Sequence, residues 1–162
     1  AALYPKQKRI EELLESASPE SDAFPSVLAE CCVLNAYCKR KSNLMLLSEE
    51  NLPKPNRELF LAMQESARFL KCCGIDAAAT GEEYADFTLT QIHALYDSFE
   101  ALIEAFLPYM HRMTVSLSGN GIRIAMEADQ SPELPITALP IERSESDGCI
   151  FLTIQAEGGA GI

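Results

Sequence analysis

The stretch from Ile92 to Glu127 constrains the fold more than any other part of the chain, because it joins a long helix to a β-hairpin. Ser118-Gly119-Asn120-Gly121 supplies the turn between two segments of strand character. The preceding segment repeats large apolar side chains at helical spacing, at Tyr96, Phe99, Leu102, Ile103 and Phe106. This order predicts a core helix, a tight corner and two paired strands.

The remaining elements follow from the same periodicities. We predict helices at about 6–17, 25–47, 57–72 and 90–110, the last bent by Pro108, and strands at 75–80, 114–117, 122–128, 136–141 and 149–155. Pro53 and Pro55 mark a boundary, because they stop a helix and stiffen a linker. We therefore expect a helical hairpin over residues 1–52 and a two-layer α+β sandwich over 53–162.

Composition excludes several classes of function. The 162 residues carry a net charge of −11 with 13 Lys and Arg, which leaves no broad basic face for a nucleic acid. No apolar run is long enough to span a bilayer, and the first residues lack a signal-peptide core. We expect a cytoplasmic segment without direct membrane contact. The six cysteines include two adjacent pairs and no Cys-x-x-Cys motif. We expect reduced core thiols rather than a zinc site or a disulfide.

Three local patterns together resemble the cytoplasmic part of sensor histidine kinases. Residues 35–47, NAYCKRKSNLMLL, are similar to the second helix of a dimerisation hairpin in that family. Residues 68–80, RFLKCCGIDAAAT, resemble the start of its Bergerat-type ATP-binding domain. Residues 95–105, LYDSFEALIEA, parallel its Glu-x-x-x-Asn-Ala helix, which faces the nucleotide. The resemblance covers nearly the whole chain in the order of its elements.

The resemblance implies ATP and Mg²⁺ as cofactors and assigns site residues. Glu100 matches the family's Glu near the γ-phosphate, and Glu104 stands at the position of its Mg²⁺-binding Asn. A carboxylate can also bind Mg²⁺, so Glu104 is the expected metal ligand. His111 or Arg112 corresponds to a basic residue after the helix, and Asp129 or Glu127 to the adenine-reading Asp.

The chain departs from the family pattern at its glycines and at its phosphoacceptor. No glycine lies between Ile122 and Asp147, where the family has an Asp-x-Gly-x-Gly motif and a Gly-rich lid. Gly158-Gly159-Ala160-Gly161 follows the last predicted strand, too late for a lid. The first helix has no His, and His93 precedes Ala94 rather than an acidic residue. These departures predict a degenerate nucleotide pocket.

Several interpretations remain open. The leading one is a degenerate, pseudokinase-like region of a two-component sensor that relays signals as a homodimer to a response regulator or other kinase domains. The alternatives are an active ATP-dependent histidine kinase domain with non-standard ligands and an unrelated helical adaptor. The cytoplasmic segment could also belong to a membrane-anchored sensor. Glu100 and Glu104 could equally form a solvated acidic stripe. For residues 39–41, Lys-Arg-Lys, we expect a helix end or solvated turn, and for His93 and His111 surface or cap positions.

Overall fold

The computed structural model describes residues 3–16, 24–50, 55–81 and 87–156. Within these ranges, four helices and a five-stranded mixed sheet form an α+β fold. The helices are α1 (Tyr4–Ser16), α2 (Phe24–Glu50), α3 (Pro55–Cys72) and α4 (Leu89–Phe106). The strands are β1 (Asp76–Gly81), β2 (Met110–Ser118), β3 (Gly121–Ala128), β4 (Ile141–Ser146) and β5 (Cys149–Gln155). The predicted fold class is confirmed.

The sheet has the strand order β1-β2-β3-β5-β4. Strand β1 runs parallel to β2, and every other neighbouring pair is antiparallel. The predicted turn connects β2 to β3, where Ser118 pairs with Gly121. A side chain at Gly121 would place its Cβ 2.0 Å from the carbonyl oxygen of Ile154 on β5. Glycine is therefore required at this position for β3 and β5 to approach each other.

Alternation of side chains gives the sheet one covered and one open face. The covered face packs against α3 and α4, and on β2 and β3 it consists of Met113, Val115, Leu117, Ile122, Ile124 and Met126, all buried. The main core continues through these helices to Val33, Tyr37 and Cys38 of α2. Helices α3 and α4 thus lie between the sheet and α2.

Helices α1 and α2 form the predicted hairpin. Leu13 packs against Cys31 and Leu34 in a small separate cluster, and the Arg9 guanidinium lies 3.3 Å from the Glu30 carboxylate. The hairpin also packs on the rest of the molecule, since α2 contacts both α3 and α4. The division into a hairpin and a sandwich stays a prediction.

Several predicted boundaries are wrong, including the start of β2, which lies at Met110 rather than Thr114. Helix α4 ends at Phe106 rather than continuing to residue 110, and the chain turns at Leu107–Tyr109 before β2 begins. Proline at 108 cannot donate the backbone bond that the next helical turn requires. The strand expected around 136–141 begins only at Ile141, where pairing with Ile154 of β5 starts. Pro140, directly before it, has no backbone N–H to donate to a longer ladder. Most of the Pro53 linker and the glycine tail lie outside the described residues.

The cysteines are all free thiols, as predicted, but only some belong to the core. Cys31 and Cys38 are buried, whereas Cys32 and Cys72 are exposed. Cys73 and Cys149 are partly buried. None of the helices in the described ranges is long and apolar enough to cross a membrane.

Candidate functional site

Helix α4 carries the candidate site on the side that faces the helical hairpin. Its start is fixed by a capping box, in which the Gln91 backbone N–H donates to the Thr88 hydroxyl and the Gln91 side chain accepts from the Thr88 N–H. From this start, helical periodicity directs one row of polar side chains toward α1 and α2, at His93, Asp97, Glu100 and Glu104.

Glu100 is buried in the protein interior, with 2% of its surface exposed. Within the described residues its Oε1 atom has no hydrogen-bond partner. Burial, and to a lesser extent the nearby Glu104 carboxylate, raise the pKa of Glu100 to about 8 against the opposing effect of Lys6. Glu100 is therefore mostly a neutral acid at pH 7, and the expectation of a solvated acidic stripe is wrong at this position.

A small cavity lies beside the Glu100 side chain. Its volume of about 10 Å³ is close to the minimum that one water molecule needs. The walls come from α2, α3 and α4, and they consist of Val33, Ala36, Ser66, Phe69, Leu70, Glu100 and Ile103. The space around Glu100 thus suits one small polar molecule and is far too small for a nucleotide.

Glu104, the expected Mg²⁺ ligand, forms an ion pair with Lys6 of α1. The Lys6 ammonium also lies 4.6 Å from the ring centre of Tyr37 on α2, which is cation–π geometry. Both partners of the ion pair are largely shielded from solvent. The carboxylate is consequently engaged by the hairpin.

Tyr37 and Lys41 of α2 bind the middle of α4. The Tyr37 hydroxyl donates to Asp97 Oδ1 at 2.8 Å, and the Lys41 ammonium donates to Asp97 Oδ2 at 3.0 Å. Lys41 Nζ also lies 2.9 Å from Nδ1 of His93. The Tyr37 ring stacks on Tyr96, with ring centres 5.6 Å apart. Charge-assisted bonds and a ring stack therefore join the two helices.

These contacts perturb the titration of the tyrosines and of His93. Burial raises the pKa of Tyr37, and the bond to Asp97 adds to the effect. Burial also raises the pKa of Tyr96, with Glu100 next in importance. Burial and the Lys41 charge lower the pKa of His93, which favours its neutral form.

Arg112 and Asp129 lie elsewhere, at the sheet. Arg112 projects from the open face of β2, where its guanidinium binds Asp76 at 3.1 Å and lies 3.7 Å from Glu127. Asp129 follows β3, and its Oδ1 lies 2.6 Å from Nε2 of His111. The structure therefore does not bring the four predicted nucleotide-binding residues together. The assignment of Glu100, Glu104, Arg112 and Asp129 to ATP and Mg²⁺ stays a prediction.

Asp129 also borders an open cleft of about 350 Å³ between the end of β3 and the β4–β5 turn. Glu145 and Asp147 supply two further carboxylates to its wall. Their negative charge disfavours a triphosphate at this cleft. Throughout the described ranges, no three His, Cys, Asp or Glu side chains converge in a way that could hold a metal ion.

Sequence reasoning missed the contribution of α2 to this site. Residues 39–41 were expected at a helix end or in solvent, but α2 continues to Glu50 and Lys41 is buried. Arg40 pairs with Glu65 of α3, and Lys39 lies 3.4 Å from the same residue. The available signal was a cationic triplet inside an otherwise apolar helix. Such a triplet needs anionic partners on a neighbouring element.

Comparisons with known proteins give little further information. No protein-family profile matches the sequence, and no curated protein matches it. Among solved structures, the chain is similar to the cytoplasmic segment of histidine kinase QseC, with a TM-score of 0.43 and 10% sequence identity. The match covers 85% of this chain and 96% of that one.

Proposed function

We propose that this chain is a histidine-kinase-like interaction module of a two-component system, in which the α1–α2 hairpin relays a signal by docking on α4. The resemblance of its local sequence motifs supports the kinase-like assignment. One observation carries the docking role: the carboxylates at the family's nucleotide-facing positions are covered by the hairpin. Glu100 is buried, and Glu104 is paired with Lys6.

The chemistry of the interface suits a contact that forms and separates. Its central bonds join charged or hydroxyl groups, which water can solvate after separation. The apolar surface that opening would expose there is the Tyr37–Tyr96 ring stack and the neighbouring α2 side chains Val33 and Cys38. Tyr37, Lys41 and Asp97 would each recover hydrogen bonds to water. The apolar side chains between α4 and the sheet would gain no hydrogen bonds to water on separation. A signal that moves the hairpin would therefore act on the α2–α4 contact first.

In the docked state, the α4 carboxylates cannot serve a nucleotide. A triphosphate at Glu100 and Glu104 would require the hairpin to leave α4, and two carboxylates would then repel it. We propose that the module works in a homodimer with a response regulator or other kinase domain as its partner. Binding of Mg²⁺–ATP to the chain would instead support the active-kinase alternative.

The test is binding of Mg²⁺–ATP to the full chain, measured by thermal unfolding and by titration calorimetry. A ligand that binds only the folded state raises stability by about 2.7 kcal/mol at a hundredfold excess over its dissociation constant. We expect no such shift and no binding heat. A clear shift in the wild type that is lost in Glu104→Gln would overturn the proposal in favour of an ATP-binding kinase domain. Asp76→Asn, which changes a carboxylate on the open sheet face, is the matched control.

A further inference from the structure

Helices α2 and α3 pair through two regularly spaced rows of side chains. On α2 the row is Cys32, Ala36 and Arg40, and on α3 it is Glu65, Phe69 and Cys73. Residues four apart lie on the same side of a helix. Each row therefore presents three successive side chains along one stripe.

The two rows run in opposite directions, so their side chains form three successive levels, with an ion pair at the first level and a shared cavity at the second. Arg40 forms an ion pair with Glu65 at one end. One level further along, Ala36 and Phe69 line the same small cavity. Since both helices rise about 1.5 Å per residue, the third level lies about 12 Å from the first on each helix. That level consists of Cys32 and Cys73.

The chain continues helically as far as this third level. Helix α3 ends at Cys72, yet the Cys73 backbone N–H still donates to the Phe69 carbonyl at 3.1 Å. Cys73 thus keeps its place in the row. The two thiols also interact electrostatically: burial raises the pKa of Cys73 most, and Cys32 and Cys72 raise it further.

We propose that Cys32 and Cys73 form a reversible dithiol–disulfide pair that fastens α2 to the end of α3 under oxidising conditions. Cys32 is exposed and meets the oxidant first, whereas Cys73 is partly buried and acts as the resolving thiol. Cys31 and Cys38 are buried, so a dissolved disulfide does not reach them. The proposal is independent of nucleotide binding.

The oxidant in this reaction is a small-molecule disulfide such as oxidised glutathione. The Cys32 thiolate attacks one sulfur of that disulfide, which forms a mixed disulfide and releases one glutathione thiolate. The Cys73 thiolate then attacks the Cys32 sulfur and releases the second. The two protons lost by the protein thiols are taken up by the two leaving thiolates. The protein is oxidised by two electrons, and the small disulfide is reduced to two thiols.

The experiment treats the full chain with oxidised glutathione, blocks remaining thiols by alkylation and measures the intact mass. We expect the protein, alkylated after unfolding, to carry two alkyl groups fewer than the reduced control alkylated in the same way, and to retain no glutathione. Fragment sequencing of the digest should join Cys32 to Cys73. Thermal unfolding should occur at a higher temperature than in the reduced protein, and a reducing thiol should reverse the shift.

Matched variants distinguish a disulfide between Cys32 and Cys73 from one that involves the neighbouring Cys72. Cys72→Ser should leave the disulfide and the thermal shift intact, whereas Cys32→Ser should abolish both. A stable mixed disulfide with glutathione, a bond from Cys32 to Cys72, or oxidation only to covalent dimers would overturn the proposal. The bond mapping uses the wild-type chain, so its result does not depend on whether a variant folds.

Discussion

The two sides of α4 pack by different chemistry. Toward the sheet, helical periodicity presents Leu95, Leu102 and Phe106, all fully buried. Toward the hairpin, it presents Asp97, Glu100 and Glu104 together with the Tyr96 ring, which stacks on Tyr37. Apolar packing favours a permanent contact, because separation would expose the apolar side chains to water. Polar pairing tolerates separation. The same helix therefore makes an apolar contact on one side and a mixed polar and aromatic contact on the other, and the mixed contact loses less on separation.

The largest expected effect is on the apolar side of α4. Leu102→Ala should lower the free energy of unfolding by about 2–5 kcal/mol, because it removes buried methyl groups and leaves a cavity. Urea denaturation measures this change. Leu34→Ala in the small α1–α2 cluster is the matched control, and we expect its cost near the lower end of that range because few neighbours surround it. An equal or larger cost for Leu34→Ala would contradict the distinction between a main body and a lightly attached hairpin.

An intermediate effect is expected on the polar side. Tyr37→Phe keeps the ring stack on Tyr96 but removes the hydroxyl that donates to Asp97, and it should cost about 1 kcal/mol. Equilibrium unfolding of this variant, of Asp97→Ala and of the double variant gives the coupling between the two groups. Tyr109→Phe lies outside the interface and should be nearly neutral. Additive costs for the Tyr37 and Asp97 changes would show that the hydrogen bond does not stabilise docking.

The smallest effect is expected on the open face of the sheet. Arg112→Gln breaks exposed ion pairs with Asp76 and Glu127, which should change stability by less than about 1 kcal/mol. Thermal unfolding at low and high salt measures it, and the difference from the wild type should shrink as salt rises. A cost larger than that of Tyr37→Phe would reverse the ranking and indicate that the open face contributes more to stability than the hairpin contact.

The sequence predicted the fold better than it predicted the site. The α4 helix and the β2–β3 hairpin follow from periodicity and from the Ser118–Gly121 turn, which are local signals. The burial of Glu100 is not local, because it depends on α2 crossing α4 from a distant part of the chain. Two glutamates four residues apart give the same sequence pattern whether they face solvent or a neighbouring helix.

The positions of Arg112 and Asp129 illustrate the same limit. The resemblance assigned them to a nucleotide together with Glu100 and Glu104, on the basis of order along the chain. Strand alternation places Arg112 on the face of the sheet that points away from α4. Order of elements therefore indicated the architecture, but only the packing of layers determined which side chains meet.

The pH dependence of stability tests the closure of α4 by the hairpin most directly. The folded protein holds the Glu100 proton up to about pH 8, whereas the unfolded chain releases it near the ordinary value of 4.5. The folded state thus binds more protons in this window, and the Glu100 contribution to stability falls as pH rises from 4.5 to 8. Glu100→Gln resembles the neutral acid and lacks this loss.

The measurement is urea unfolding of the wild type and Glu100→Gln at a series of pH values across that window. Subtracting one profile from the other removes the titration of groups that both proteins share, including His93. The account predicts that Glu100→Gln becomes progressively more stable than the wild type as pH rises toward 8, with the difference constant above it. A difference that does not change with pH would mean that Glu100 is solvated and that the hairpin does not close this face of α4.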